Sequence, residues 1–90
     1  MAMSSNNDVI KSFVEHKANE STTLKSTGDC LYSYNTCISE FHDDVFVVNM
    51  TPYSVTSTKH RNTLLKLIKN KYTILYLYDI PKNIQRLWKH

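Results

Sequence analysis

A single glycine, Gly28, serves a chain of 90 residues that also holds two prolines. Average composition would supply roughly six glycines. Glycine carries the backbone through positive φ at no steric cost and lets it approach a ligand closely. Its scarcity removes whole classes of site. A phosphate-cradling loop, a GxGxxG turn and a nucleophile elbow each need two or more glycines at close spacing. KH-type RNA loops and collagen-like repeats are excluded on the same ground. The hydrophobic fraction of 41%, with 11% aromatic residues, is enough for a core, so wholesale disorder is not expected. Ninety residues make one domain, residues 1–90, whose core is marginal in size.

The start, MAMSSNNDVIKSF, has neither the apolar run nor the basic flank of a signal peptide. The longest strongly apolar stretch, YTILYLYDI, is far short of a membrane span. The expectation is a soluble cytoplasmic protein with no membrane partner.

Hydrophobic spacing then divides the chain. Over 5–18, Val9, Ile10, Phe13 and Val14 recur at helical intervals, and Ser5 with Asp8 resembles a capping box. Residues 19–28, NESTTLKSTG, are polar and read as a linker, with Gly28 supplying positive φ at its end. From 29 to 49 the period changes to alternation. Strands are expected at 29–34, 36–42 and 45–49, with Asp43-Asp44 in a hairpin turn. A helix is expected over 58–70, capped by Thr56 or Ser57 and ended by a left-handed Asn70. Arg61, Leu64, Leu65 and Ile68 share its inner face; Lys59, Asn62, Lys66 and Lys69 point away. Residues 71–79 alternate with bulky side chains on both sides, which predicts a central strand covered on both faces. Pro81 opens a short C-terminal helix over 81–90. The order α-β-β-β-α-β-α defines an α+β domain, with about four antiparallel strands and two to three helices.

The net charge of +3 conceals a gradient. Residues 1–28 are balanced. Residues 29–58 carry Asp29, Glu40, Asp43 and Asp44 with no Lys or Arg, a charge of −4. Residues 59–90 carry Lys59, Arg61, Lys66, Lys69, Lys71, Lys82, Arg86 and Lys89 against Asp79 alone, a charge of +7. Those eight cations form a candidate surface for an acidic protein or a phosphate backbone. Tyr76, Tyr78 and Trp88 are the candidate stacking rings for nucleic-acid bases.

Catalytic and metal chemistry find little support. His42-Asp43-Asp44 is more simply turn chemistry, and Cys37 with His60 lacks a third supporting group. Cys30, Cys37, His42 and His60 are spaced C-x6-C-x4-H, which matches no usual zinc ribbon or finger. Two cysteines are too few for a disulfide scaffold, so reduced thiols are expected, at least one of them buried. If both flank a tight hairpin they can still face each other at bonding distance. No enzyme activity, cofactor or metal is expected.

The stretch LYSYNTCISEF, followed by VFVVNMTPYSVTSTKHRNTLL, resembles a small bacteriophage-protein domain of unassigned function. Leu31, Ser33, Tyr34, Thr36, Ile38, Tyr53, Ser54, Thr56, Ser57 and His60 carry the resemblance, within residues 29–68. Physically these residues read as a strand–loop–helix junction held by hydrogen bonds. The resemblance implies a phage-encoded, non-enzymatic inhibitor of a host or defence nucleoprotein complex, in the manner of anti-CRISPR proteins. Direct nucleic-acid binding by the basic 59–89 region is the alternative. A homo-oligomer built through a strand edge is the third reading.

Overall fold

The computed structural model describes residues 5–34, 36–81, 84, 86 and 87. Helix α1 (Asn6–Val14) is followed by strands β1 (Ala18–Glu20), β2 (Leu24–Thr27), β3 (Cys30–Ser33), β4 (Thr36–His42) and β5 (Val45–Asn49). Helix α2 (Val55–Ile68) then leads to β6 (Thr73–Leu77). The six strands form one sheet in chain order. β1 to β5 are an antiparallel meander, and β6 lies parallel to β5 after the α2 crossover. The architecture is α+β with a mixed sheet and two helices. No helix among the described residues is long and apolar enough to cross a membrane.

Four expectations change. The sheet has six strands and is mixed, where about four antiparallel strands were expected. The polar 19–28 stretch is no linker but the β1–β2 hairpin, with a buried, exposed, buried, exposed pattern over Leu24–Thr27. Its alternation was hidden because three of those four residues are polar. Ser26 faces inward, where its hydroxyl donates to the Lys17 carbonyl at 2.8 Å. Strand β6 lies at the edge rather than the centre. The inner strands β2 to β4 already have two partners, and β6 takes the free side of β5, which leaves β6 itself at the edge. Its bulky residues are therefore partly exposed, with Leu75 and Tyr76 each 44% accessible. Of the expected helix at 81–90, Pro81, Ile84, Arg86 and Leu87 are described and none is helical. The rest of that stretch lies outside the described residues.

Other local signals match except the α2 cap, which was expected at Thr56 or Ser57. Ser5 caps α1, its hydroxyl accepting from the Asp8 N–H at 3.2 Å. α2 begins earlier than expected, capped by Ser54, whose hydroxyl accepts from the Ser57 N–H at 3.1 Å. Ser57 faces inward instead. With one glycine available, the turns use other residues at positive φ: His16, Tyr34, Asp43, Asp44, Asn70 and Asp79. Asp43 and Asp44 adopt φ 49° and 64°, as a two-residue hairpin of the right twist requires. Gly28 has φ 99°, and a Cβ there would stand 3.1 Å from the His16 carbonyl oxygen. Both facts require glycine at this position.

Both helices pack on one face of the sheet. Val9, Ile10 and Phe13 of α1 and Leu64 and Ile68 of α2 meet Leu24, Leu31, Ile38, Phe46 and Val48. Phe46 is the hub, with the Phe13 ring edge-on at 5.6 Å and Phe41 at 4.8 Å. The opposite face carries Cys30, Cys37 and Val47 and is covered by Ile80 and Leu87 from the chain after β6. This covering strap starts at Ile80, whose N–H donates to the Thr51 hydroxyl at 2.8 Å and whose carbonyl accepts from the Tyr53 hydroxyl.

It is fastened at its far end by Glu40, a fully buried carboxylate. Arg86 donates through Nε to Oε1 at 2.9 Å and through a terminal nitrogen to Oε2 at 3.2 Å. The Leu87 N–H adds a third bond to Oε1 at 3.0 Å. A β-bulge aims this carboxylate. The β3–β4 register slips between Leu31 and Tyr32, leaving Ile38 as the extra residue on β4. Cys37 and Glu40, three apart and otherwise on opposite faces, thereby share one face.

Arg86→Ala leaves that buried carboxylate short of its cation while water reaches the site where the guanidinium stood, 60% exposed. The expected loss is about 2 kcal/mol of stability, within the range for a stranded buried polar group. Urea unfolding monitored by the Trp88 fluorescence and far-UV circular dichroism measures it; an unchanged midpoint would show that the strap contributes nothing.

Candidate functional site

The outer face of α2 and the turn after it carry exposed lysines beside the edge strand β6. α2 has no acidic residue. Lys59, Asn62 and Lys66 are exposed along it, and Lys69 and Lys71 are exposed in the turn that follows. Lys59 and Lys66 stand seven residues apart, about 10 Å along one side of the helix. Tyr76 faces the helix side of the sheet, because it pairs in register with the core residue Val48. Its ring meets Asn62, Leu65, Lys66 and Lys69 around a groove of about 410 Å³. A second hollow of about 390 Å³, lined by Pro52, Ser54, Val55, Thr58 and Lys59, continues the face toward the start of α2.

The cations singled out from the sequence therefore divide. Lys66, Lys69 and Tyr76 line one groove, Lys59 lines the neighbouring hollow, and Lys71 is exposed in the turn after α2. Tyr78 is 65% exposed just beyond β6. Arg61 is withdrawn from this set: it is half-buried and donates to the Met50 carbonyl at 2.9 Å and to the Asn62 side chain at 3.3 Å. Arg86 is also corrected, since its guanidinium holds Glu40 on the far face. Glu40 in turn stabilises the charged guanidinium and raises its pKa. Lys82, Trp88 and Lys89 lie outside the described residues. Asn62 and Leu65 line the groove without having been marked as site residues. Asn62 and Lys66, four apart on one helix face, were the available signal.

Beneath the start of α2 lies a polar junction. Ser33, Tyr34, Thr36, Tyr53, Ser54, Thr56 and Ser57 surround a hollow of about 300 Å³. Leu31 and Ile38 of the same stretch belong to the helix-side core. His60 sits behind the hollow, with Nδ1 at 3.1 Å from the Ser33 hydroxyl and Nε2 at 3.3 Å from the Asn6 amide nitrogen. Asn6 Oδ1 accepts from Ser21 at 2.5 Å and Thr23 at 2.9 Å, so its NH₂ faces His60. Nε2 is then the acceptor, and Nδ1–H donates to Ser33. An imidazole in this tautomer donates a hydrogen bond to the Ser33 hydroxyl and is not set up to take its proton. The network ties α1, the β1–β2 turn, β3 and α2 together. Asn6, Ser21 and Thr23 could not be linked to His60 from the sequence, because their partner is more than thirty residues away.

Cys37 and His60 are on opposite faces of the sheet, so no Cys–His pair forms. The spacing-based zinc set is split in the same way. Cys30 and Cys37 are free and buried, while His42 lies 3.1 Å from the Asp43 carboxylate.

The chain belongs to a family of unknown function (DUF8033), whose family model matches residues 2–76. No curated protein and no solved structure matches the chain. The match exceeds the 29–68 stretch at both ends and says nothing of a bacteriophage source. It includes the whole groove, up to Tyr76, and Glu40, but ends before the strap.

Burial lowers the pKa of His60 below its ordinary 6.5. The unfolded chain then binds a proton that the folded chain refuses. Stability from this group is complete above about pH 6.5 and falls as the pH drops toward the lowered folded value. His60→Gln, which keeps a hydrogen-bonding side chain, should flatten that decline between pH 7 and 5. Urea midpoints across this range test it, and parallel curves for the two proteins would remove His60 as the cause.

Proposed function

We propose that the protein is a non-enzymatic binding protein that docks an anionic partner against the α2–β6 face. The carrying observation is the groove in which Lys66, Lys69 and Tyr76 share walls with Leu65. An apolar floor with a cationic rim suits a macromolecular surface carrying negative charge. Lys59 and Lys71 extend the positive field on either side. On the resemblance to bacteriophage domains, the partner is a host or defence nucleoprotein complex, and the setting is the cytoplasm of an infected cell. The protein would then be an inhibitor that covers part of that complex.

A second reading is favoured by Tyr76 beside two lysines: direct binding of single-stranded nucleic acid, with the ring as a stacking platform. The two readings separate by salt and by target. A fluorescent oligonucleotide titrated at low salt should bind with an affinity that falls steeply as salt rises if the second reading holds. No binding at low salt ends it. For the first reading, the tagged protein should recover a nucleoprotein complex from host lysate, and expression should protect an infecting phage. Lys66→Glu with Lys69→Glu should weaken either interaction by about tenfold or more through reversed charge. Full retention of binding by that exposed double variant would place the interface elsewhere.

A third reading, self-association, rests on the outer edge of β6, which pairs with no other strand among the described residues. Light scattering that gives a monomer mass at high concentration removes it.

A further inference from the structure

The bulge that aims Glu40 also assembles a buried cluster of two thiols and a carboxylate under the strap. Cys30, Cys37 and Glu40 are all buried, with their Sγ and carboxylate oxygen atoms within 4.8 Å of one another. Cys30 Sγ–H donates to Glu40 Oε1 at 3.8 Å, and Cys37 Sγ–H donates to the Ser39 carbonyl at 3.5 Å. Both side chains project from the same face of neighbouring antiparallel strands. In the register Cys30 faces Glu40 and Cys37 faces Tyr32, so the two thiols meet diagonally; a disulfide needs sulfurs about 2 Å apart, which they reach by side-chain rotation together with a shift of the bulged strand. Thiols and a carboxylate also suit a soft divalent cation. Here, however, both carboxylate oxygens already accept from Arg86, and a bound cation would sit against that guanidinium.

We propose that Cys30 and Cys37 form a reversible dithiol–disulfide pair whose reaction with small-molecule disulfides is gated by the strap. Cys30 is the attacking sulfur. The Cys37 thiol beside it is the largest influence and, with Tyr32 and Arg86, brings its pKa down to about 7 against burial and the Glu40 charge. The same contact raises Cys37, which keeps its proton. Cys30 thiolate attacks one sulfur of the small disulfide, forming a mixed disulfide and expelling one thiolate. That step consumes the Cys30 charge that held the Cys37 proton in place. Cys37 then loses its proton, attacks Cys30 Sγ and expels the second thiolate. Two protein thiols are oxidised, one small disulfide is reduced to two thiols, and the protons go to the released sulfurs. Among the described residues Ile80 and Leu87 cover the pair, so lifting the strap from Glu40 opens a path for the reagent.

The folded 90-residue chain is incubated with oxidised glutathione, quenched with an alkylating agent, and read by intact mass and peptide mapping. The expected product is a Cys30–Cys37 disulfide without a glutathione adduct, reversed by dithiothreitol. Cys37→Ser keeps a hydrogen-bond donor beside Cys30 and should trap glutathione on Cys30. Cys30→Ser should react at Cys37 about tenfold more slowly or less, because a protonated buried thiol is a poor nucleophile. Arg86→Gln should accelerate disulfide formation several-fold, and Glu40→Gln provides a second way to loosen the strap. Wild-type protein whose two thiols stay alkylatable, or which stops at the mixed disulfide, would overturn the pairing. Equal rates in wild type and both strap variants would overturn the gating. Stoichiometric zinc retained by wild type and lost in both serine variants would assign the cluster to a metal instead.

Discussion

The buried carboxylate of Glu40 is what allows this sheet to have a second covered face. Two helices cover only one side of six strands. The other side presents Cys30, Cys37 and Val47, and the strap that covers it includes no regular element among the described residues. A short irregular segment pays for its ordering with few apolar contacts, here chiefly Ile80 and Leu87. Glu40 compensates with three bonds, two from Arg86 and one from the Leu87 backbone. A carboxylate in an apolar layer is costly unless its lone pairs are filled. The strap and the carboxylate therefore stabilise each other, and removing either exposes a defect in its partner.

Local chemistry was legible and long-range pairing was not. Ser5 at the start of α1, the Asp43-Asp44 turn, Gly28 and the left-handed Asn70 are each set by neighbours within a few residues, so the sequence displays them directly. The β1–β2 hairpin escaped because hydroxyls and Asn6, rather than an apolar stripe, hold it. The edge position of β6 escaped because bulky alternation reports that a side chain fits a strand, not how many neighbours the strand has. The Glu40–Arg86 pair spans 46 residues and depends on a bulge at Ile38 that nothing in the residue types announces. In the candidate groove, the lysines were visible as a helical stripe. Tyr76 could be placed beside them only once the parallel register of β5 and β6 was known.

The structure also revises what the charge gradient means. The chain has two arginines, Arg61 and Arg86, and both donate to groups within the protein. Arginine's planar fork suits fixed multiple acceptors, a carbonyl and an amide for Arg61, a carboxylate for Arg86. The cations left on the outer face of α2 and its following turn are lysines. Lysine is a flexible point charge that contributes field without imposing the geometry of bidentate contacts. A face built this way discriminates poorly between individual bases or individual carboxylates and well between anionic and neutral surfaces. Shape must then come from the apolar part of the groove, Leu65 and Tyr76. Under the proposed function, this favours a partner recognised by the contour of an extended negative surface, in which lysines would govern the rate and salt sensitivity of encounter and the Tyr76 wall would fix where it docks.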